Sequence, residues 1–381
     1  YIISSEMKCL TEFQKPIEMV KPGVYKTINL LTKEQHESNY FPLLFDTYYL
    51  NDIGSMNMIQ TTLINSVKKL SDDLLPVIEY HFGWKTIKGF ETPKDAGKRL
   101  RPALAVLSSE AVGGSPETAI PGAVAVEMIH NFSLIHDDII DGDKERRHRP
   151  SAWTAFTVED ALIAGDALHT LAFQVLLEED TPERVQAARR LVDATTTMIS
   201  GQASDMTFDD LPTVSFEECL KMEAAKTGAL LGYASSVGAV LSGANEDTCT
   251  SLEVFGYELG LAYQAVDDVL GIWGDPKVTG KPVGNDLRER KKSMPVSIVL
   301  SANSSEAEKL SEIFSITGEL SEEEVSYASS LIENAGGREA TLEEADKHLK
   351  RATEFLNNAD IREETFSELE EVANFVVNRD S

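Results

Sequence analysis

Apolar residues recur at intervals of three and four along most of this 381-residue chain. That spacing is typical of amphipathic helices, and convincing alternation of apolar and polar positions, which would indicate strands, is absent. Gly, Pro, Asp and Ser separate the apolar segments, so we predict an all-α protein. The predicted helices cover residues 58–83, 102–113, 118–141, 158–178, 182–206, 215–243, 246–272, 293–301, 304–315, 321–334, 341–357 and 363–378.

One predicted helix leads into a cluster of carboxylates. The run from Ala123 to Ile135 is mostly apolar and too long for a surface helix, and it is followed by Asp137, Asp138 and Asp141. Since positions 137 and 141 are four residues apart, a continuing helix places both side chains on one face, about one turn apart. Carboxylates alone on one face would repel each other.

A second acidic pair, Asp267 and Asp268, ends the predicted helix 246–272, and a basic stretch follows each cluster. These stretches contain Arg146, Arg147 and Arg149 after the first cluster, and Lys281, Arg288, Arg290, Lys291 and Lys292 after the second. Mg²⁺ binds a few carboxylates together with phosphate oxygens and water. Either cluster alone could be a solvated helix end, but the two together indicate a site for divalent cations and a phosphate-bearing substrate.

The overall charge is strongly negative, at −28, with 63 Asp and Glu against 35 Lys and Arg. This balance argues against nucleic acid and against an anionic membrane surface as partners. An anionic substrate requires locally concentrated positive charge, and Lys98, Arg99 and Arg101 supply a third basic cluster. With 42% hydrophobic residues, the chain can bury a large core.

The sequence contains no pattern typical of secretion or of a metal or redox cysteine motif. Cys9, Cys219 and Cys249 lie far apart, so we interpret them as incidental thiols in a reducing compartment. The N-terminus lacks a signal-peptide pattern, and we interpret no apolar stretch as approaching the length that crosses a bilayer. We therefore predict a cytoplasmic protein with no transmembrane segment.

The beginning of the chain differs from the rest. Five of the ten tyrosines lie at positions 1, 25, 40, 48 and 49, where helical periodicity is weak. Gly54-Ser55-Met56 resembles an engineered junction, and we interpret Met56 or Met58 as the natural start. Residues 1–56 are therefore predicted to be an extension of unknown role outside the catalytic core, and residues 57–381 one domain.

A series of motifs makes the chain resemble the trans-isoprenyl diphosphate synthases (polyprenyl synthetase family), and most of all the bacterial geranylgeranyl-type enzymes. In order, the motifs are Gly97-Lys-Arg-Leu-Arg-Pro, Glu127-Met-Ile-His130, Asp137-Asp-Ile-Ile-Asp141, Arg146-Arg147, Gly201-Gln-Ala-Ser-Asp205, Lys226-Thr227, Tyr263-Gln264-Ala-Val-Asp267-Asp268 and Gly274-Asp-Pro-Lys-Val-Thr-Gly-Lys281. One Asp-Asp-x-x-Asp motif is weak evidence, but this ordered set covers nearly everything from residue 58 onward.

The resemblance implies an all-α domain of the isoprenoid-synthase type, a helical bundle around a central cavity, usually as a homodimer. It implies that an allylic diphosphate ionises, that isopentenyl diphosphate attacks the carbocation, and that a proton is then lost. Mg²⁺, three ions per active site and replaceable by Mn²⁺, would neutralise the leaving diphosphate. A dry apolar tube would keep water from the cation.

The resemblance also implies a role for each matching residue. The metal ligands would be Asp137, Asp141 and Asp267, supported by Asp138 and Asp268. The catalytic set would be Asp137, Asp138, Asp141, Lys226, Gln264 and Asp267. The allylic diphosphate would bind Arg146, Lys226 and Lys281, with Thr227 and Gln264 beside it. Isopentenyl diphosphate would bind Lys98, Arg101, His130 and Arg147, where cationic donors replace metal.

One position departs from the family pattern. The second acidic motif usually ends in aspartate, and here residue 271 is Gly271. That final position is commonly a water-mediated contact, so we expect activity to survive, with Asp275 as a partial substitute. Two alternatives stay open: a terpene cyclase of the same fold, or a non-catalytic partner or cargo subunit. A cyclase has no use for an isopentenyl diphosphate site, and a non-catalytic subunit would have lost more of these residues.

Product length is predicted from the residues before the first cluster. In the family, bulky side chains there form the floor of the tube, and Phe132 lies about 7.5 Å before Asp137 along the helix axis, at ~1.5 Å per residue. Ser133 is small. This arrangement resembles the geranylgeranyl (C20) pattern more than the farnesyl (C15) pattern. Alternatively, Phe132 is ordinary core packing and another helix or a dimer partner forms the floor.

Overall fold

The structure, a computed structural model, describes residues 24–28, 35–39, 53–92, 99–147, 149–275 and 283–377. The chain divides into two compact units, Tyr1–Ile53 and Gly54–Ser381. In the first unit, β1 (Val24–Ile28) and β2 (Gln35–Asn39) pair antiparallel. The sequence pattern did not predict this strand pair, and the role of residues 1–56 stays a prediction.

Helices make up most of the described remainder, which confirms the all-α prediction for the fold. They are α1 (Ile53–Val67), α2 (Leu75–His81), α3 (Leu100–Ala111), α4 (Pro116–Ile140), α5 (Ala152–Ala155), α6 (Val158–Leu176), α7 (Pro182–Asp209), α8 (Phe216–Glu223), α9 (Ala229–Leu241), α10 (Glu246–Trp273), α11 (Asn285–Arg288), α12 (Met294–Leu300), α13 (Ser305–Phe314), α14 (Glu322–Asn334), α15 (Gly337–Asn358) and α16 (Glu363–Val377).

Several boundaries differ from the predicted ones. The predicted helix 58–83 is two helices, α1 and α2, separated by turns. The predicted helix 215–243 is α8 and α9, joined by a π-helical turn at Ala224–Gly228. The single-turn helices α5 and α11 were not predicted, nor was the antiparallel pair β3 (Glu145–Arg146) and β4 (Arg149–Pro150). Short elements carry too few residues to show a period.

Polar side chains fix where the longer helices begin. Thr157, Thr181 and Asn245 accept hydrogen bonds from backbone N–H groups in the first turns of α6, α7 and α10. Ser215 and Ser321 form capping boxes with a glutamate three residues later, at the starts of α8 and α14. These caps satisfy N–H groups that have no partner inside the helix, so the starts could be predicted to within a few residues.

The core is organised around α9, which is buried from Leu230 to Leu241. It packs against α3, α4, α7 and α10, while α4 also packs on α6. By length and composition α4 could cross a membrane, so the expectation that no apolar stretch approaches that length is wrong. However, 72% of its most apolar window is buried inside the protein, as in the core helix of a globular domain.

A buried ion-pair cluster joins α10 to α15. The Glu258 carboxylate accepts from His348 Nδ1 at 2.6 Å and from Arg351 at 3.0 Å. The Glu258 side chain is only 4% exposed, so its charge has little contact with water. Removing one partner from such a cluster leaves polar groups buried without compensation.

We therefore expect Glu258→Ala to lower the free energy of unfolding by about 3 kcal/mol, the cost of breaking a buried pair from one side. Urea denaturation in EDTA would measure the change. The control is Asp346→Ala, which removes an exposed partner of Lys350 on α15 and should cost less than about 1 kcal/mol. Equal losses in the two variants would contradict the importance of the Glu258 cluster.

Candidate active site

The first acidic cluster stands at the carboxyl end of α4. Asp137 and Asp138 lie in its last turn, and the Asp141 backbone N–H donates to the Asp137 carbonyl at 2.8 Å. Asp137 and Asp141 therefore share a face, as their spacing predicts. A helix carboxyl end carries partial negative charge, and the last turn of α4 contains no basic residue. The local field at this position favours cations.

The protein holds these carboxylates where ionisation is costly. Burial raises the pKa of Asp137 from 3.8 to about 6, against the opposing charge of Lys226 and with a further rise caused by Asp141. Burial likewise raises the pKa of Asp138 and of Asp141. Carboxylates with raised pKa values around a shared space are typical of functional sites, and a divalent cation would compensate their charge.

Lys226 lies opposite the first cluster, on the π-helical turn. Its ammonium donates to Asp205 at 2.7 Å, and Asp205, Asp137 and Asp141 raise its pKa although burial lowers it. It therefore stays protonated at neutral pH. A π turn re-aims side chains by inserting one residue into a helix, and such turns are frequent at functional sites.

A glycine on α7 permits this position of the turn. A Cβ on Gly201 would stand 2.9 Å from the Ala225 carbonyl carbon and 2.9 Å from Lys226 Cα, too close for any side chain. Asp205 lies four residues further along α7, so it is one turn away on the same face. The motif from Gly201 to Asp205 thus combines close backbone contact with the carboxylate that binds Lys226.

The same π turn contacts the second acidic cluster. Thr227 Oγ1 donates to Gln264 Oε1 at 2.9 Å, and Gln264 Nε2 donates to Asp268 Oδ1 at 2.8 Å. The Met294 backbone N–H donates to the other Asp268 oxygen at 2.7 Å. Asp268 is buried and Asp267 is exposed. Asp268 therefore fixes the end of α10, while Asp267 presents its side chain outward.

The Arg146 guanidinium forms an ion pair with the Asp138 carboxylate. Its Nε and a terminal nitrogen contact Asp138 Oδ1 at 2.7 and 2.6 Å, while Asp138 Oδ2 is buried with no hydrogen-bond partner in the described part of the chain. The Asp138 side chain is fully buried. Asp138 thus holds Arg146 near the first cluster, and its supporting role at the metal site stays a prediction.

A basic region lies around His130, two turns before Asp137 on the same face of α4. Arg101 contacts His130 Nε2 at 3.3 Å, and burial together with nearby arginines lowers the pKa of His130 well below its usual range. Since arginine only donates, Nε2 of this neutral ring accepts and its Nδ1 carries the proton. Arg101 Nε is buried without a hydrogen-bond partner among the described residues. Arg147 adopts a positive φ of 52°, a strained conformation common at functional sites.

Buried polar residues beneath this region were missed by the sequence reasoning. Asn131 Nδ2 donates to Glu127 Oε1 at 2.9 Å, and Asn131 Oδ1 contacts His81 Nε2 at 3.1 Å. Glu223 was also missed: burial and the charge of Asp268 raise its pKa well above the usual range. The four-residue spacing from Glu127 to Asn131 could have predicted their contact on one helix face. No sequence pattern indicated that His81 or Glu223 belongs to this buried polar group.

Two predicted substrate-binding residues, Lys98 and Lys281, lie outside the described residues. Beside Asp141 the structure has a cavity of about 570 Å³, whose lining includes both acidic residues, such as Asp209, and basic residues, such as Lys292. Lys291 belongs to this lining, and its ammonium lies 4.0 Å from Asp141 Oδ2 and 3.1 Å from Glu289. The cavity thus lies between Asp141 of the first acidic cluster and the basic residues at positions 290–292.

The residues predicted to control product length lie on α4. The Phe132 ring is buried and packs edge-on against His136 and His169, with centroids 4.8 and 5.0 Å away. Ser133 is half-buried and donates to the His130 carbonyl at 2.8 Å. Phe132 thus faces α6, which carries His169.

The donor set suits a hard cation bound jointly with an anionic ligand. In the described part of the chain, no three Asp, Glu, His or Cys side chains converge closely enough to hold a metal by themselves. The oxygens around Lys226 are nonetheless hard ligands whose charge lacks full compensation, and Asp138 Oδ2 is an orphaned buried acceptor. Mg²⁺ fits such a site because it uses few carboxylates and completes its shell with phosphate and water.

Helices surrounding facing acidic and basic regions are typical of enzymes that act on diphosphates. A family model described as polyprenyl synthetase matches residues 90–332. A farnesyl diphosphate synthase of Mycobacterium tuberculosis is 41% identical over 325 residues, covering 84% of this chain and 90% of that protein. A geranylgeranyl diphosphate synthase of the same organism is 38% identical over 298 residues, with 78% and 85% covered.

Solved structures of prenyl diphosphate synthases also resemble this chain. A polyprenyl synthetase from Streptomyces coelicolor A3(2) superposes with a TM-score of 0.82 at 48% identity, covering 85% of this chain and 97% of that one. A geranylgeranyl pyrophosphate synthetase from Pyrococcus horikoshii gives 0.79 at 31% identity, with 90% and 100% covered. The chain belongs to the polyprenyl synthetase family, the trans-isoprenyl diphosphate synthases, and is a prenyl-transferring enzyme.

The raised pKa of Asp137 predicts that Asp137→Asn stabilises the metal-free protein. Ionising this carboxyl opposes folding, so the penalty is absent below pH 3.8 and grows until the pH passes about 6. At pH 7.5 we expect a gain on the order of 1–3 kcal/mol in free energy of unfolding. Urea denaturation in EDTA at pH 7.5 and 4.5 should show a larger gain at the higher pH. No gain, or a gain independent of pH, would contradict this account.

Proposed function

We propose that this protein is a chain-elongating prenyltransferase that condenses isopentenyl diphosphate with an allylic diphosphate and releases mainly geranylgeranyl diphosphate. The observation that carries this proposal is the presence beside α4 of two regions suited to a diphosphate, one through divalent cations on carboxylates and the other through cationic side chains. One combines Asp137 and Asp141 with Lys226, and the other combines Arg101, Arg147 and a neutral His130. Two such regions suit two diphosphate substrates, whereas a cyclase would need only the first.

The first region would receive the allylic diphosphate. Mg²⁺ held by Asp137, Asp141 and Asp267 would neutralise charge on the departing diphosphate, and Mn²⁺ could replace it. Lys226, fixed by Asp205 at 2.7 Å, adds a permanent positive charge that needs no reorganisation. Arg146 would exchange its contact with Asp138 for the ligand, and Lys281 and Thr227 would complete the region.

The second region would hold isopentenyl diphosphate without metal. The buried Arg101 Nε has no hydrogen-bond partner among the described residues, and a phosphate oxygen would satisfy it. His130 would donate from Nδ1 while Nε2 accepts from Arg101. Lys98 belongs to this region by its motif. Neutral His130 also avoids adding a third buried positive charge beside two arginines.

Product length is the finer part of the proposal. The relatives above include one named for a farnesyl and one for a geranylgeranyl product, at similar identity. The bulky Phe132 followed by the small Ser133 favours C20, because extra bulk at position 133 would shorten the space beneath Asp137. A C15 product is the alternative.

A homodimer is part of the proposal. Val192, Ile199 and Met206 are each about half exposed on α7, and their seven-residue spacing aligns them along one face. Ile163 on α6 is also exposed. Contiguous exposed apolar side chains mark interaction surfaces, and a second copy of this chain fits the family resemblance. We also propose a cytoplasmic location.

The central experiment supplies purified protein with Mg²⁺, isopentenyl diphosphate and each of the C5, C10 and C15 allylic diphosphates. We expect elongated diphosphates, mostly C20, when products are separated chromatographically. Conversion of a single allylic diphosphate to a hydrocarbon, without isopentenyl diphosphate, would favour the cyclase. Absence of turnover with every pair would favour a non-catalytic subunit.

Arg147→Ala should raise the KM for isopentenyl diphosphate about tenfold to a hundredfold, the worth of one charge-assisted contact. The KM for the allylic substrate should change much less. Lys98→Ala should likewise raise the KM for isopentenyl diphosphate far more than the KM for the allylic substrate. Steady-state kinetics would measure both constants. The matched control is Arg149→Ala on the same hairpin, where the guanidinium stacks 5.0 Å from the Tyr80 ring. Equal effects on both substrates, or none, would contradict the assignment of Arg147.

Phe132→Ala should lengthen the product beyond C20, and Ser133→Phe should shorten it toward C15. Each substitution changes the free space beneath Asp137, and chromatography of the products would show the shift. Phe255→Ala is the control, because it removes a buried ring from α10 and should destabilise the fold without altering chain length. Unchanged distributions in both test variants would exclude Phe132 as the floor of the tube.

A further inference from the structure

The turn that ends α11 is built around an arginine. Arg290 has a φ of 52°, in the left-handed region that a residue with a Cβ rarely adopts. Its N–H donates to the Leu287 carbonyl at 3.0 Å, and the N–H of Lys291 donates to the Asp286 carbonyl at 2.9 Å. These two bonds form a Schellman motif, in which the left-handed residue after the helix is usually glycine. The backbone alone therefore does not explain an arginine at this position.

The Arg290 side chain contacts a distant part of the chain. It reaches the turn between α13 and α14, where Nη2 donates to the carbonyls of Ile316 at 2.8 Å and Gly318 at 2.5 Å. Both carbonyls lie outside helices, and hydrogen bonds from a charged donor are stronger than those from a neutral one. Arg290 is half-buried, and its Nε is buried without a hydrogen-bond partner among the described residues. A glycine could form the same backbone turn but not this guanidinium contact.

The two lysines that follow Arg290 reach the candidate site. The Lys291 ammonium lies 4.0 Å from Asp141 Oδ2 at the end of α4, and the Lys292 ammonium donates to the Asp209 carbonyl at 3.3 Å at the end of α7. Arg290 and both lysines line the cavity beside Asp141. The residue that contacts the turn between α13 and α14 therefore directly precedes two cations at the mouth of the site.

The direction of the Lys291 side chain depends on the backbone at Arg290. Glu289 and Lys291 flank Arg290 in the chain, and their side chains form an ion pair at 3.1 Å. A different φ at the residue between them would turn the two side chains apart and move the Lys291 ammonium away from Asp141. The guanidinium contact thus fixes a torsion on which the position of this ammonium depends.

We propose that Arg290 is a positioning residue whose guanidinium contact fixes the left-handed turn that directs Lys291 toward Asp141, where the allylic diphosphate would bind. This inference rests on the proposed function. Arg290 acts through Lys291 and not by contact with a substrate. The alternative is that Arg290 only ends α11, in which case glycine would replace it without loss of activity.

Two substitutions separate the backbone turn from the guanidinium contact. Arg290→Ala removes the contact and keeps a Cβ in the left-handed region, whereas Arg290→Gly removes the contact and suits the turn. Arg290→Ala should lower the melting temperature in EDTA by about 2–4 °C, and Arg290→Gly should recover part of that loss. Both variants should raise the KM for the allylic diphosphate about tenfold, the low end for one hydrogen bond to a charged group. The KM for isopentenyl diphosphate should stay nearly unchanged.

The matched control is Arg184→Ala. Arg184 also donates to a backbone carbonyl, that of Val175 at 3.1 Å, and it lies at the start of α7, at the opposite end from Asp209. We expect this variant to melt at a lower temperature in EDTA with both KM values unchanged. A comparable rise in the allylic KM in Arg184→Ala would show a general effect of destabilisation and would overturn the inference.

A double-mutant cycle tests whether Arg290 acts through Lys291. Lys291→Ala alone should raise the allylic KM, and adding Arg290→Gly should raise it no further, because the group to be positioned is already absent. Effects that multiply in the double variant would contradict positioning through Lys291. Wild-type KM values in Arg290→Gly, or in Lys291→Ala, would contradict it as well.

Inorganic pyrophosphate gives a readout that needs no turnover. With Mg²⁺, it should raise the melting temperature of the wild type more than that of Arg290→Gly, and Arg184→Ala should respond like the wild type. A wild type that elongates no allylic diphosphate would refute the proposed function. A wild type that elongates, with Arg290→Gly equal to it in KM and in its response to pyrophosphate, would refute only the role of Arg290.

Discussion

The repulsion between Asp137 and Asp141, and its relief by Lys226, is the constraint on which the rest of the site depends. Both carboxylates stand at the carboxyl end of α4, where the helix dipole adds to the cost of ionising them. Burial raises their pKa values further, and Lys226 opposes that rise. Lys226 and Lys291 do not fully compensate the two aspartates, because Lys226 also pairs with Asp205 and Lys291 with Glu289. The remaining electronegative field is what would attract the proposed divalent cations.

The placement of Lys226 follows from features with no evident value to stability. The π turn at Ala224–Gly228 interrupts regular hydrogen bonding between α8 and α9, and Gly201 removes a side chain so that α7 can approach it. The same turn directs Thr227 to Gln264, whose amide fixes Asp268. A single irregular turn therefore relates the two acidic clusters to each other. Irregularities of this kind are expected where function outweighs local regularity.

Much of this site could be predicted from sequence, for reasons that differ between residues. Asp137 and Asp141 share a face because both belong to one helix, and helical geometry alone relates them. The pairing of Lys226 with Asp205 joins different elements, so no period reveals it. Likewise, the contact of Arg146 with Asp138 depends on the β3–β4 pair, which is too short to predict. The break between α1 and α2 was missed because the apolar period continues across residues 68–74, where turns replace helix.

The chain is strongly negative and its proposed substrates are also anionic. The two are compatible because many of the exposed carboxylates are too distant to act on the site. Much of the acidity lies on the exposed faces of α13 and α14, including Glu308, Glu312, Glu322 and Glu323. At physiological salt, exposed charges are screened over about 8 Å, so these carboxylates contribute little inside the site. Buried groups are screened much less, and the pKa of His130 is lowered by burial and, further, by the positive charges of its arginine neighbours. A net charge of −28 is therefore compatible with the proposed binding of two diphosphates, because the local field rather than the net charge acts on a bound ligand.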